Sequence, residues 1–195
     1  MDRSSIGLST CAYAKRVESS GTIIFDDGVL LPGAVQADIS ITRDSVRKFA
    51  DNGLIYSEDN FVSGTLTLTE VGWADQDYCN LTGAQYVSDG ATPPTYSVQS
   101  VANPDPDYYA FGFICDSIGY ASGSWGKTYT AVVLNKVKFS EGNTSMQTRG
   151  ESTSFSDPQL IGTIFKDGNE VWREVKNFST MSAAESWLKT KLDVA

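Results

Sequence analysis

The sequence predicts a mainly β fold: a β-sandwich or partly closed barrel with a long extended hairpin and two short helices. Apolar and polar residues alternate in two long segments, turn residues separate further apolar segments, and helical spacing occurs in only two short stretches. The 195 residues suffice for one domain with a buried core. We expect a β domain over residues 1–178 and a helical appendage over residues 179–195.

The clearest strand pattern covers residues 35–42, and a second alternating segment covers residues 64–70. The side chains predicted to face the core from the first segment are Val35, Ala37, Ile39 and Ile41. The polar side chains of both segments are predicted to face water: Gln36, Asp38, Ser40, Thr42, Thr65, Thr67 and Thr69. The two segments are predicted to pair as a long antiparallel hairpin.

Residues 43–62, between these segments, are predicted to form a long loop, because the connection is too long for a tight turn. Five large apolar side chains occur in it: Phe49, Leu54, Ile55, Tyr56 and Phe61. Loops of this length in a compact domain are usually functional or disordered.

Further strands are predicted at residues 11–17 and 22–25, followed by a turn at Asp26-Asp27-Gly28 and the apolar group 29–31. Residues 108–114 and 128–139 are predicted to form another hairpin, with Ser122-Gly123-Ser124-Trp125-Gly126 in its connection. The segments 154–165 and 170–176 flank a turn at 166–169. Residues 86–107, rich in Pro, Ser and Thr, are predicted to be a surface excursion.

Two helices are predicted. The first covers Asp75 to Leu81 and ends at Gly83. The second begins at a capping box formed by Ser182 and Glu185, with Trp187 and Leu188 on its apolar stripe. This stripe docks either on its own sheet, which we favour, or on a neighbouring subunit.

The charge composition excludes several classes of function. The chain has 24 acidic and 15 basic residues, a net charge of −9 and no histidine. A surface that binds nucleic acid tightly should be basic. The absence of histidine removes Ser-His and Cys-His nucleophile pairs and histidine metal sites. Residues 51–120 contain ten acids and no Lys or Arg, which indicates either an ordinary solvated surface or one that repels anions.

No chemistry-bearing motif stands out. Cys11, Cys79 and Cys115 are too widely spaced for a zinc site and are predicted to be buried thiols. Carboxylate pairs such as Asp75 and Asp77 are typical of caps rather than of acid-base catalysis. Asp105 and Asp107 lack the rest of a calcium loop. We therefore predict no catalytic residues, no metal and no cofactor. No apolar run reaches the length of a membrane span or of a signal core, so we expect synthesis in the cytoplasm and no membrane partner.

An ordered series of short motifs resembles the major tail proteins, or tail tube proteins, of long-tailed non-contractile bacteriophages (siphophages). Each motif is weak alone, but their order and spacing cover roughly residues 7–175. The motifs are Gly7-Leu8, Tyr13-Ala14, Leu31-Pro32-Gly33-Ala34, Phe49-Ala50-Asp51-Asn52-Gly53, Gly64, Leu81-Thr82-Gly83, Tyr109-Ala110-Phe111-Gly112-Phe113, Lys136-Val137-Lys138-Phe139, Thr148-Arg149-Gly150-Glu151 and Phe155-Ser156-Asp157-Pro158-Gln159-Leu160-Ile161-Gly162. Two departures are the length of the 86–107 excursion and the helix at 182–192, which lies beyond the resemblance.

The resemblance implies a structural virion protein that assembles in the host cytoplasm and ends in the phage tail. In that family, hexameric rings stack into a tube that conducts DNA from the capsid to the host. The implied partners are further copies of the chain and the tape-measure, tail terminator and distal tail proteins, while DNA passes without specific binding. On this hypothesis the polar hairpin residues face the lumen, and the 43–62 loop contacts other subunits through Arg47, Lys48, Phe49, Leu54, Ile55, Tyr56 and Phe61.

Two other classes of function compete with this hypothesis. A monomeric β-sandwich binding module, for example for carbohydrate, would use Tyr108, Tyr109, Tyr120 and Trp125 as a stacking platform. A small acidic hydrolase would need two carboxylates on facing strands, and the sequence offers no convincing pair.

Overall fold

The structure is a computed structural model that describes residues 4–19, 21–51, 53–92, 94–121, 124–143 and 157–195. Within these ranges the strands are β1 Ser4–Ser19, β2 Thr22–Leu31, β3 Ala34–Ala50, β4 Gly53–Glu70, β5 Gln85–Ser88, β6 Tyr96–Gln99, β7 Tyr109–Ala121, β8 Ser124–Glu141, β9 Gln159–Ile164 and β10 Arg173–Phe178. The helices are α1 Asp75–Thr82 and α2 Met181–Lys191. The prediction of a mainly β fold with two short helices is confirmed.

Eight of the strands form one antiparallel sheet with the order β2-β1-β7-β8-β9-β4-β3, and β10 pairs with β8. The long strand β8 pairs with β10 through residues 129–134 and with β9 through residues 137–141. The sheet is not closed into a barrel. Strands β2, β3 and β10 each pair with one strand of this sheet, and Gly28 of β2 also bridges to Val194, with its N–H donating to the Asp193 carbonyl oxygen at 3.3 Å.

One hydrophobic core, which we call the inner core, lies against one face of this sheet. Tyr13 of β1 and Leu68 of β4 both belong to it, although three strands separate β1 from β4 in the sheet order. The sheet must therefore curve around the core. Leu81 of α1 completes the core at one end. Burial of this apolar area is the main favourable contribution to folding.

The opposite face of β1, β7 and β8 is covered by α2. Small sheet residues such as Ala12, Ala110 and Ala131 let the helix approach closely, and Leu188 and Leu192 are fully buried against them. A Cβ at Gly112 would lie 2.5 Å from Leu188 Cδ1, so only glycine fits beneath the helix at that position. Thr180 caps α2 by accepting a hydrogen bond from the Ala183 N–H at 3.4 Å. The predicted start at Ser182 is therefore two residues too late.

Residues 43–62, predicted as a loop, are instead strand. The β3–β4 pairing continues from Ala34 opposite Glu70 to Ala50 opposite Gly53, so the predicted hairpin is confirmed and extends to its tip. The sequence pattern missed this because both faces of the distal hairpin are exposed, which removes the apolar and polar alternation. A register shift between Ala34 and Gln36 also turns Val35 outward, where it is 49 % exposed rather than core-facing.

One of two further turn predictions needs correction. Asp26-Asp27-Gly28 lies inside β2, where a bulge places Tyr13 opposite Val29 and Lys15 opposite Asp26, so it does not separate two strands. A bulge needs the same turn-forming residues as a turn, and Asp27 has a positive φ of 52°. The segment around 166–169 does join β9 to β10, but these strands pair with β8 rather than with each other.

The 86–107 excursion lies on the surface and is mostly exposed, as predicted. It contains one short hairpin, β5–β6, on which Tyr86 and Tyr96 stack with ring centroids 4.8 Å apart. The predicted hairpin of residues 108–114 and 128–139 is also present and is longer, as β7 and β8. Of the predicted connection, Ser122 and Gly123 lie outside the described residues. Residues 124–126, predicted as loop, are instead the start of β8 and pair with residues 119–121 of β7.

Candidate functional site

The distal part of the β3–β4 hairpin projects from the sheet. Strand β9 pairs with β4 only at residues 64–69, so residues 43–62 form a two-stranded ribbon, which we call the arm. The eight residues that β3 contributes give it a length of about 26 Å, and β4 contributes ten residues. An isolated two-stranded hairpin is marginally stable in water, and its unpaired edges can accept another chain.

The tip of the arm exposes a group of apolar side chains. Phe49 is 66 % exposed and lies opposite Leu54, which is 54 % exposed; Ile55 beside them is 59 % exposed. Val46 and Tyr56 are half exposed farther back. Contiguous exposed apolar surface on a folded domain marks an interaction site. The structure therefore brings most of the predicted contact residues together at one end of the molecule.

Phe61 does not belong to this exposed surface. Its ring stacks on Trp172, and it packs against the inner core at the base of the arm. The prediction grouped it with the tip because the loop interpretation gave all five apolar side chains the same exposure. Sequence reasoning missed Trp172 altogether, since no spacing rule links residues 61 and 172.

The basic residues of the arm have no partner within the described chain. No carboxylate lies within 4.0 Å of Arg43, Arg47 or Lys48. All other described lysines and arginines except Lys189 pair with a carboxylate or lie over an aromatic ring: Lys15, Arg16, Lys127, Lys136, Lys138, Lys166, Arg173, Lys176 and Lys191. Unpartnered positive charge in the described chain is thus concentrated on the arm.

The polar residues of the proximal hairpin share one face of the sheet, which we call the polar face. Cross-strand pairs place Gln36 opposite Thr69, Asp38 opposite Thr67 and Ser40 opposite Thr65. The exposed members are Gln36, Asp38, Ser40, Thr42 and Thr65, and Thr67 is half-buried. Thr69 is buried, and its hydroxyl accepts a hydrogen bond from Gln159 Nε2 at 3.3 Å. Thr69 therefore supports the neighbouring strand rather than facing solvent.

The predicted contact residues of α2 lie against the same chain. Leu188 is fully buried between the helix and the sheet, and the ring of Trp187 lies 5.9 Å from that of Phe178 in β10. Lys191 forms an ion pair with Glu174 at 2.8 Å. These contacts hold the helix on its own sheet.

The aromatic residues proposed as a carbohydrate platform are dispersed. Tyr109 is buried, and Tyr108 has Lys136 over its ring at 4.4 Å. Trp125 is 67 % exposed but pairs with Tyr120 at the far end of β7, about 36 Å along the strand from Tyr109. The side chain of Tyr120 lies outside the described residues. These residues do not form one stacking surface.

The candidate acidic pairs make structural contacts. Asp77 accepts a hydrogen bond from Tyr13 at 2.7 Å, and Asp26 Oδ1 accepts one from the Asp27 N–H at 3.0 Å. Asp105 forms an ion pair with Lys138 at 2.6 Å, whose hydrogen bond lowers the pKa of the Asp105 carboxyl. Among the described residues, no group of three or more acidic or cysteine side chains could hold a metal ion.

Two of the three cysteines are buried, and Cys115 is half-buried. Burial raises the pKa of the Cys11 thiol to about 12, with Glu70 adding to the effect, so it stays protonated at neutral pH. No helix in the described part of the chain combines the length and the apolar character needed to cross a membrane.

The motifs Thr148-Arg149-Gly150-Glu151 and Phe155-Ser156 lie outside the described residues. No protein-family model matches the sequence, and a search of curated proteins found no match.

Proposed function

We propose that this chain is a structural subunit that polymerises with further copies of itself, and that the polymer is a tail tube of stacked hexameric rings. The observation that carries the proposal is the arm, whose apolar tip and unpaired cations have no partner in the described chain. Covering the tip would remove apolar surface from water. We infer that the polymer is a tube of stacked rings from the resemblance of the short motifs to siphophage tail tube proteins.

The edge strands of the sheet support the same proposal. Strands β2 and β3 lie at opposite edges and differ in sequence, so an edge-to-edge contact between two copies would be head-to-tail. Head-to-tail contacts generate closed rings or open filaments. Pairing would also protect edges that otherwise promote aggregation.

The polar face is proposed to line the lumen. Its hairpin residues are small hydroxyl or amide groups apart from Asp38, which accepts a hydrogen bond from Gln36 at 2.7 Å. Because no lysine or arginine is among the six predicted lumen residues that are not buried, these residues would bind few phosphates and release few counterions. DNA is therefore expected to slide along it without being held.

The test is to purify the full chain and follow its assembly by light scattering and negative-stain electron microscopy. Hollow tubes or rings are expected, with mass growing as concentration rises. The arm is then shortened by replacing residues 46–58 with Asn-Gly, because Ser45 and Asp59 are directly opposite and Asn-Gly forms a two-residue hairpin turn. This variant keeps Phe61 and is expected to fold as a monomer. Tubes formed by the shortened chain would contradict the proposal, and a full chain that stays monomeric would favour the binding-module class.

A further inference from the structure

A cleft whose lining contains no residue of the arm is rich in hydrogen-bond acceptors. It has a volume of about 370 Å³ and lies between β1, β2, the start of β7 and α1. Its lining residues are Tyr13, Lys15, Asp27, Val29, Asn80, Asp107 and Tyr109. This volume lies within the range of clefts that hold a ligand group or a side chain.

The tyrosine hydroxyl protons in the cleft are already used. Tyr13 donates to Asp77 Oδ1 at 2.7 Å, and Tyr109 donates to the Asn80 carbonyl oxygen at 2.8 Å. Burial raises the pKa of Tyr109 to about 12, so its proton stays in place at neutral pH. Tyr13 also accepts a hydrogen bond from Asn80 Nδ2 at 3.4 Å. Any capacity that either hydroxyl has left for an additional group is therefore acceptor capacity.

One carboxylate among the charged residues of the cleft has no ion-pair partner in the described chain. Lys15 pairs with Asp107 at 2.5 Å, which balances those two charges. Asp27 has no ion pair within the described chain. It sits in the left-handed backbone region, with φ of 52°, where Asp, Asn and Gly are best tolerated. A cleft with tyrosine acceptors and one unpaired carboxylate suits a group that has several N–H donors and a positive charge.

The arm presents such a group. The β3–β4 register places Arg43, Arg47 and Phe49 on one face of the arm, together with Leu54 opposite Phe49. Asp59 shares this face, but its carboxylate already accepts a hydrogen bond from Ser45. Arginine has five N–H donors and keeps its charge at any physiological pH.

We propose that the cleft receives the guanidinium group of Arg47 from the arm of a second copy of this chain. This inference rests on the proposed self-assembly and names the surface that the arm would contact. Cleft and arm tip are different surfaces of the molecule, so the contact is head-to-tail and leaves a free arm and a free cleft at the two ends of any chain of subunits. Val29 beside the cleft offers apolar surface to the tip residues.

The experiment is a double-mutant cycle on the critical concentration for assembly of the full chain. Asp27→Asn removes the carboxylate charge and introduces a residue that also tolerates the left-handed backbone. Arg47→Gln removes the positive charge and keeps a polar side chain. Each single change is expected to raise the critical concentration on the order of tenfold. The double variant is expected to have the same critical concentration as either single variant, because the two substitutions remove the same contact.

Two control variants match these changes away from the proposed contact. Glu170→Gln alters an exposed acid whose φ of 64° is also positive, and Lys189→Gln alters the other cation without a partner among the described residues, which lies on α2. Neither is expected to change the critical concentration more than about twofold. Thermal melts of all variants as monomers check that folding is intact.

The outcomes separate the two proposals. If the wild-type chain assembles while Asp27→Asn and Arg47→Gln act additively or not at all, the contact is wrong and the proposed function stands. If the wild-type chain remains monomeric at every concentration, the proposed function is wrong, and the contact between copies is wrong with it.

Discussion

Phe61 lies parallel to Trp172, with ring centroids 5.1 Å apart and an interplanar angle of 8°. The two rings join β4, at the base of the arm, to the segment that precedes β10. Arg173 also lies over the Trp172 ring, 4.6 Å from its centroid. The stack therefore fixes the direction in which the arm leaves the sheet, while the tip beyond it makes no comparable contact within the described chain.

Phe61→Ala is expected to lower the free energy of unfolding by about 1.5 kcal/mol, because it removes the stacking contact and part of the buried apolar area. Assembly is expected to weaken as well, since the arm loses its fixed direction. Urea unfolding measures the first effect and light scattering the second. Phe49→Ala is the matched control: it should impair assembly and leave monomer stability unchanged. Equal effects of both variants on stability would contradict the anchoring role.

Glu70 makes the free energy of unfolding depend on pH, and the burial of its carboxyl group determines the sign of that dependence. The residue is 1 % exposed, and its Oε1 atom has no hydrogen-bond partner in the described chain. Burial, assisted by the charge of Asp77, raises the pKa of the Glu70 carboxyl to about 7 from 4.5. The folded state thus binds this proton more tightly than the unfolded state. The contribution of this proton to the free energy of unfolding is fully present below pH 4.5 and is lost as the pH rises through 7.

Glu70→Gln is therefore expected to stabilise the protein at pH 8, because it removes an ionised carboxylate from a buried site. The gain should be about 2–3 kcal/mol at pH 8 and near zero at pH 4.5. Urea unfolding of both proteins at several pH values measures it. Asp75→Asn, on the exposed first turn of α1, serves as the control and should show no such gain. A Glu70→Gln variant that is less stable than wild type at pH 8 would show that the carboxylate has a stabilising partner.

Thr67 distinguishes the polar face from the inner core. Thr67→Lys places a long side chain next to Asp38 on the polar face and is expected to change the free energy of unfolding by less than about 0.5 kcal/mol. Leu66→Lys, one residue away, puts a charge into the inner core and is expected to prevent folding. Circular dichroism and thermal melts separate these results.

Tubes assembled from Thr67→Lys subunits are expected to bind short duplex DNA more tightly than wild-type tubes, with binding that weakens as salt is added. Unchanged DNA binding in tubes of this variant would place the polar face away from the lumen.

Leu188 tests how α2 contributes to the subunit. Leu188→Ala is expected to lower the free energy of unfolding by about 3 kcal/mol, since it opens a cavity against Gly112 and the sheet alanines. Ser186→Ala, on the exposed side of the same helix, should cost little. Truncation after Asn177 should lower the melting temperature of the monomer. Assembly that fails while the melting temperature is unchanged would instead assign the helix to contacts between subunits.

Local patterns in the sequence are enough to predict the fold class, the proximal hairpin with its polar and apolar faces, and both helices. Each of these depends on local spacing: alternation in strands, the Gly83 cap that ends α1, and the apolar stripe of α2. That residues 43–50 and 53–62 are strand could be learned only from the folded chain, because an exposed ribbon has no buried face to impose a period. The Phe61–Trp172 stack and the burial of Glu70 likewise depend on which strands become neighbours. Sheet order is set by the total apolar area that the curved sheet encloses, and no local pattern encodes that quantity.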